Sequence, residues 1–375
     1  MKFLHTADLH IGKIVNDFSM LEDQKYILEQ IKDIALANKV DGVLLAGDIY
    51  DRAIPTGEAV VLFDAFLTAL SEAGMFVFLI SGNHDSPERL SFGETMLARQ
   101  RIGIGGVYKD KLPVFEMKDE WGCVEIVLLP FVKPAQADAR TSQEAVTKLL
   151  KGYWEGEDKK PHEKKRRVLV THFFVTDAGK EPELSDSETT VHVGGIDNVD
   201  VAAFEGFDYV ALGHIHKPWQ IGNKPVYYAG SPLKYSFGEV DQTKSVLIAE
   251  LSGEGLTGVT ACPLRPLREM RKVKGTLQGL LENAGERGRG DYIQAILTDQ
   301  EEIVDPIGAL RSVYPNIMQI VREEREEKAE STKSTVMIRK KEPAALFEEF
   351  YRTVRGEDMT EEKKKIILNI MKNID

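Results

Sequence analysis

The chain has 375 residues, 42% of them hydrophobic and 29% charged, the balance of a globular protein with more than one domain. Its net charge of −12 argues against a nucleic-acid coat protein, whose affinity comes from a basic surface, but leaves room for an enzyme meeting nucleic acid at a local basic or metal-bearing site. No apolar run approaches membrane-span length, the start at Met1 has no signal-peptide pattern, and the two distant cysteines, Cys123 and Cys262, fit free thiols in a reducing cytoplasm.

Over the first 250 residues, apolar strand-like runs alternate with helical patterns, which predicts an α/β fold or mixed sandwich. Strands are predicted at 2–6, 42–46, 76–80, 124–129, 168–171, 209–212, 226–229 and 246–250. Ile27, Ile31, Ile34 and Ala35 recur at helical spacing, so a helix is predicted over 23–38, stopping near Asn38. A second helix over 58–74 is apolar on several sides (Val60, Val61, Leu62, Phe63, Phe66, Leu67, Leu70), which assigns it to the core, with a dimer interface as the alternative. The basic run Lys159, Lys160, Lys164, Lys165, Arg166, Arg167 is read as a solvated loop leading into the next strand.

Around Ala261-Cys262-Pro263-Leu264-Arg265-Pro266 the composition shifts, and two prolines mark a linker. Arg265, Arg268, Arg271, Lys272 and Lys274 have the better claim to overhang a cleft and meet nucleic acid. Residues 267 to 323 then read strand, helix, strand, helix, strand (270–275, 277–283, 292–298, 306–313, 317–322), a small separate α/β domain. A charged stretch follows, with the composition of a flexible linker. Leu346, Phe347, Phe350, Tyr351 and Val354 form one apolar stripe; after a break, Thr360 can cap a last helix bearing Ile366, Ile367, Ile370, Met371 and Ile374. Two short amphipathic helices of this kind suit docking on a partner. The expected division is therefore 1–262, 263–323, a linker over 324–342, and a helical tail over 343–375.

Five short motifs carry the chemistry: Asp8-Leu9-His10, Gly47-Asp48, Gly82-Asn83-His84-Asp85, Thr171-His172 and Gly213-His214-Ile215-His216. Each ends an apolar run, so each falls at the carboxyl end of a strand, where open α/β sheets bind ligands. Carboxylate and amide oxygens suit hard cations, imidazole suits manganese, iron or zinc, and no thiolate is present. Asp8 and His10, two apart, can grip one ion from one side of a strand. Asp48 has two oxygens with which to bridge two cations; Asn83 and His172 fit the second, and His214 and His216 can divide between them. A pair of divalent ions lowers the pKa of water and neutralises charge building at phosphorus.

His84 is the candidate general acid for the leaving alkoxide, with Asp51 and Asp85 orienting its imidazole and Arg52 touching phosphate. Taken singly, each motif reads more readily as turn or cap chemistry than as a ligand set. The ordered set, each member after a strand, points to a phosphoesterase. His5, His162 and His192 match no motif and are not expected to be ligands.

This order of motifs resembles the calcineurin-like metallophosphoesterases. Within them, His5-Thr6-Ala7-Asp8-Leu9-His10-Ile11-Gly12, Gly47-Asp48-Ile49-Tyr50-Asp51 and Tyr228-Ala229-Gly230-Ser231-Pro232 are similar to the Mre-type nucleases of double-strand-break repair, and the likeness extends over nearly the whole chain. The resemblance implies two mixed sheets sandwiched by helices, a small α/β capping domain and a C-terminal helical tail. It implies two manganese ions, one held by Asp8, His10, Asp48 and His216, the other by Asp48, Asn83, His172 and His214, with His84 as acid. It also implies a homodimeric DNA exonuclease and endonuclease of the cytoplasm, acting at duplex ends, single strands and hairpins in repair, recombination and replication. There the tail binds the coiled coils of an SMC-like ATPase, in a heterotetramer.

Two departures stand out. Archaeal and eukaryotic relatives carry a histidine where Asp51 stands, and Asp48-x-x-Asp51-Arg52 also resembles the phosphoprotein phosphatases, whose following glycine is Ala53 here. A phosphodiesterase or phosphatase of small molecules or phosphoproteins, on the same two-metal site, is the alternative; such an enzyme needs neither a capping domain nor a tail. A scaffold on an inactive phosphoesterase fold would have lost ligands, and all seven are present.

Overall fold

Two six-stranded mixed sheets face each other in the computed structural model, which describes residues 1–157, 165–177, 197–285, 288–301, 303–323, 351, 359–360 and 363–364. The first sheet runs Gly255–Pro263, Ser245–Ser252, Lys2–Thr6, Gly42–Leu45, Phe76–Ile80, Ile102–Gly105. The second runs Trp219–Gln220, Val226–Tyr228, Tyr209–Gly213, Arg166–His172, Gly122–Leu129, Val114–Asp119. The last four strands of the first sheet are mutually parallel, as are Val226–Tyr228, Tyr209–Gly213, Arg166–His172 and Gly122–Leu129 in the second. The remaining pairings are antiparallel.

The central strands are apolar throughout because both faces are covered. Their period of two divides them between layers. Phe3, Leu44, Phe78 and Ile80 of the first sheet meet Ile126, Leu128, Val168, Val170, Tyr209 and Ala211 of the second in a core between the sheets. Their neighbours Leu4, Val43, Leu45, Val77 and Leu79 face the helices Leu21–Ala37 and Gly57–Glu72. On the far side, Val127, Leu129, Leu169, Val210 and Leu212 face the helix Ser142–Glu157. The result is a helix–sheet–sheet–helix sandwich, the α/β architecture expected.

Gly57–Glu72 starts at Thr56, whose side chain accepts from the Ala59 N–H, and buries Ala59, Phe63, Phe66 and Leu70. Burying each large side chain of that stripe contributes about 1.5–3 kcal/mol. Its opposite face leaves Val60 and Val61 exposed, so the helix is not enclosed on all sides. Among the described residues no helix is long and apolar enough to cross a membrane.

The C-terminal elements Met270–Gly275, Leu277–Glu282, Tyr292–Leu297, Pro306–Arg311 and Ile317–Arg322 fall where the apolar pattern predicts them, with the strands in a three-stranded sheet. The stretch read as a linker begins later than expected, because Gly255–Pro263 is an edge strand pairing through Pro263 with Ser245. Met1–Val321 and Arg322–Asp375 form two compact units. Both apolar stripes of the tail lie outside the described residues except for Tyr351.

Two basic stretches need correction. Lys165, Arg166 and Arg167 do not form a solvated loop: the strand Arg166–His172 already includes both arginines. Arg166 is 3% exposed and forks onto Asp119 at 2.9 and 2.5 Å, while Lys165 pairs with the buried Glu125 at 2.5 Å. Lys159, Lys160 and Lys164 lie outside the described residues. In the second stretch, Arg268 pairs with Glu22 and, at 2.7 Å, with Asp23, which also accepts from Tyr292 Oη at 2.7 Å. Arg271 pairs with Asp291 at 2.7 Å. These guanidinium groups pin the small sheet and the first helix rather than presenting free charge to a ligand.

Candidate metal centre

The parallel strands aim their carboxyl ends at one edge, and all five motifs gather there. Asp8 follows Lys2–Thr6, Asp48 follows Gly42–Leu45, and Asn83 follows Phe76–Ile80. His172 ends its own strand, paired with Gly213, the residue before His214. The chain leaves these strands in an unusual way: Asp8, His10, Asp48 and His214 all have positive φ, at 53°, 45°, 49° and 102°. Left-handed backbone at a non-glycine residue costs on the order of 1–3 kcal/mol and persists only where the surroundings enforce it.

The glycines of the motifs have a steric reason. A Cβ on Gly82 would strike the Asp48 carboxylate and main-chain nitrogen, and one on Gly213 would strike the Ala46 carbonyl and His172. A Cβ on Gly47, itself at φ 85°, would also meet His172. The loops interleave only because those side chains are missing.

Asp8, His10, Asp48, His172 and His216 are all buried. His10 Nε2 lies 3.2 Å from His216 Nε2 and 3.7 Å from Asp48 Oδ2. His172 Nε2 lies 3.0 Å from Asn83 Oδ1 and 3.4 Å from Asp48 Oδ2, and His214 Nδ1 lies 3.1 Å from the same Asn83 oxygen. Among the described residues, three overlapping groups have donor atoms close enough to share an ion: Asp8, His10 and His216; His10, Asp48 and His84; Asp8, Asp48 and His172.

The donor set fits cations on physical grounds. His172 Nδ1–H donates to the Ala46 carbonyl at 2.8 Å, so in the neutral ring Nε2 is a lone pair facing two further acceptors, Asn83 Oδ1 and Asp48 Oδ2. Only a positive charge reconciles them. With protons alone, burial opposes charge on His172, but Asp48 and Asp8 outweigh it and raise its pKa to about 9. Burial likewise opposes ionisation of Asp48, yet His172 and His10 hold its carboxyl well below the usual range. Asp8 is pushed up to about 7, chiefly by burial. His10, driven well below its ordinary value by burial, has a buried Nδ1 without a hydrogen-bond partner among the described residues.

His84 sits at the rim, its side chain 42% exposed. Its main-chain N–H donates to Asp48 Oδ1 at 2.9 Å, and its Nδ1–H donates to the Asp51 carbonyl at 3.0 Å. The support expected from carboxylates is therefore a main-chain oxygen. The Asp51 carboxylate faces Lys13 Nζ at 2.7 Å and His10 Nδ1 at 3.8 Å. Asp85 turns away from the imidazole and accepts from the N–H groups of Ile49, Tyr50 and Gly82 at 3.1, 2.9 and 2.9 Å, clasping the Asp48 and Asn83 loops together. Arg52 is 72% exposed, and its Nε lies 3.6 Å from Asp51. Of the non-ligand histidines, His5 is buried between the sheets on Tyr209 Oη and the Leu212 carbonyl, while His162 and His192 lie outside the described residues.

Several residues that sequence reading passed over support the centre. Gln24, on the first helix, holds the carbonyls of Leu9 and His10 at 3.3 and 2.7 Å and accepts from the Gly12 N–H. Tyr235 Oη donates to the Leu9 carbonyl at 2.5 Å and accepts from Gln24 at 3.1 Å. Glu239 faces His216, and Lys244 pairs with Glu239. Burial opposes ionisation of Glu239, but His216 and Lys244 outweigh it and hold the carboxyl well below the usual range. None of these four residues belongs to a short ligand motif.

Comparison with known proteins agrees with this geometry. Residues 1–218 match the calcineurin-like phosphoesterase family, and residues 266–355 match the family described as type 5 capsule protein repressor C-terminal domain. The chain is 32% identical to the SbcD subunit of the SbcCD nuclease from Staphylococcus epidermidis, over 99% of this chain and 98% of that one. It is 29% identical to the protein of the same name from Staphylococcus saprophyticus, with the same coverage. A solved dimetal phosphatase from Danio rerio matches 71% of this chain and 99% of its own at 13% identity, with a TM-score of 0.41, a looser likeness. The chain thus belongs to the SbcD family of nuclease subunits, hydrolases of the calcineurin-like metallophosphoesterase family.

Proposed function

We propose that this chain hydrolyses phosphodiester bonds at DNA ends and hairpins with two divalent ions, as the nuclease partner of an SbcC-type, SMC-like ATPase. The observation that carries the reading is the convergence of four imidazoles, two carboxylates and the Asn83 amide at one sheet edge, buried except for the half-buried His214 and Asn83, with His84 open to solvent beside them. Asp8, His10, Asp48 and His216 would hold one ion, and Asp48, Asn83, His172 and His214 would hold the other. Manganese suits this mixture of oxygen and imidazole donors. Ions held there would supply Lewis-acid charge to the phosphoryl oxygens.

The chain's own residues do the rest. Asp48 ties the two ligand sets together and fixes His84 through its main-chain N–H. The Asp51 carbonyl, accepting from His84 Nδ1–H, orients the ring and leaves Nε2 as the atom from which the leaving alkoxide takes its proton. Arg52, extended at the rim, is positioned to meet phosphate outside the centre.

The 263–323 domain caps the nuclease domain 1–262, and the tail 343–375, beyond the linker 324–342, binds the ATPase. With a net charge of −12, the chain leaves much of the DNA affinity to that partner, and the cytoplasm beside the nucleoid is the expected place of action. The exposed Val60, Val61, Phe92 and Met96 fit a homodimer contact.

The test is manganese-dependent cleavage of a labelled linear duplex with one hairpin end, beside His84→Gln. Wild type should cut, and the variant should bind metal and DNA but turn over about 10²–10⁴-fold more slowly. Equal rates would refute the acid assignment. Cleavage of small phosphodiesters but never of DNA, with the ATPase present, would favour the phosphodiesterase alternative.

A further inference from the structure

Behind His216 lies a buried polar cluster that the ligand motifs do not include. Glu239 is 0% exposed and Lys244 4%. Glu239 Oε1 faces His216 Nδ1 at 3.4 Å, and its other oxygen meets Lys244 Nζ at 2.6 Å. Lys244 Nζ also donates to the His216 carbonyl at 2.9 Å and to Ser231 Oγ at 3.0 Å. His216 Nε2 points the opposite way, towards His10 Nε2.

A buried ion pair is a weak device for stability alone, since apolar residues of similar volume serve as well or better. This one sits where it acts on a single imidazole. A carboxylate at the far nitrogen of a ligating histidine fixes the tautomer, the ring orientation and the basicity of the ligating nitrogen.

We propose that Glu239 is a positioning residue for one ion of the pair: its carboxylate accepts the Nδ1 proton of His216 and presents Nε2 as the ligand atom, while Lys244 neutralises Glu239 and clamps the His216 main chain. The inference rests on the two-ion reading above and assigns a task within it. The effect is one-sided. On the other side, His172 Nδ1–H donates to the main-chain carbonyl of Ala46, so that ring is oriented without Glu239.

The experiment is manganese titration of the full chain by calorimetry, with free Mn²⁺ followed by electron paramagnetic resonance. Two double variants, Glu239→Leu with Lys244→Met and Glu239→Gln with Lys244→Met, both remove the buried lysine charge and differ in the acceptor offered to His216, which Ser236 Oγ and the Tyr235 N–H also use. Metal-free melting curves report the fold of each. Wild type should bind in two steps. The leucine variant should weaken one step about 10–100-fold and leave the other unchanged, and the glutamine variant should recover most of the loss.

Glu239→Asp keeps the charge for Lys244 but draws the acceptor back from His216. It should show the same selective weakening, even where the leucine variant does not fold. Wild-type binding in the aspartate variant, equal weakening of both steps, or a glutamine variant no better than leucine would overturn the proposal. A wild type that binds fewer than two ions would instead remove the two-ion reading on which it stands.

Discussion

The two flanks of the centre are held by different means. On the His172 flank the support is main chain: the Ala46 carbonyl orients the ring, and Gly47, Gly82 and Gly213 let the backbone close around it. On the His10 and His216 flank the support is side chain: Gln24 and Tyr235 hold the Leu9–His10 turn, and Glu239 with Lys244 holds His216. Main-chain support leaves a trace in sequence, because it needs glycine next to the ligand. Side-chain support comes from distant positions and leaves none.

Substitutions can break or sharpen that contrast. Asp48 belongs to both flanks, so Asp48→Ala should have the largest effect, with both manganese steps lost in titration and cleavage at background; retention of either step would show the flanks to be independent. Next comes Gly82→Ala, whose Cβ meets the Asp48 carboxylate. Its activity should approach that of Asp48→Ala with the fold retained by circular dichroism, and near-normal cleavage would mean the loops have slack.

Tyr235→Phe probes the side-chain flank. It removes the Tyr235 hydrogen bonds to the Leu9 carbonyl and Gln24, which keep each other as partners, costing about 0.5–1.5 kcal/mol in denaturant unfolding. Only one manganese step should weaken, and a change in both would erase the contrast between flanks. Asp119→Asn is the remote control. Its carboxyl is held down to about 2, first by its hydrogen bonds with Arg166, so it stabilises the fold above the ordinary carboxylate pKa of 3.8 and loses that effect as pH falls through 2. Melting curves between pH 5 and 2 should fall more steeply for wild type than for the asparagine variant, with manganese binding at neutral pH unchanged.

Much of the fold was legible. The central strands and the first two helices announce themselves by continuous apolar runs and by helical spacing, and the small C-terminal sheet follows the same rules. Edge elements were harder to read. Ile102–Gly105 alternates with glycine, Val114–Asp119 and Gly255–Pro263 are half polar because one side meets solvent, and Ser142–Glu157 hides its stripe among charges. The basic run at Lys165–Arg167 misled for a related reason: a charge reads as solvated unless its partner is known, and Asp119 and Glu125 lie more than 35 residues away.

The sequence alone determined where the central strands run and which residues stand at their carboxyl ends, because strand pattern and donor chemistry are local properties. Tertiary structure decided what each polar residue does there. Asp85 became a clasp on backbone N–H groups, the Asp51 main-chain carbonyl rather than its carboxylate accepted the hydrogen bond from His84, and Glu239 arrived behind His216. A buried charge is stable only beside its counterpart, and that pairing exists only once distant strands have brought their ends together.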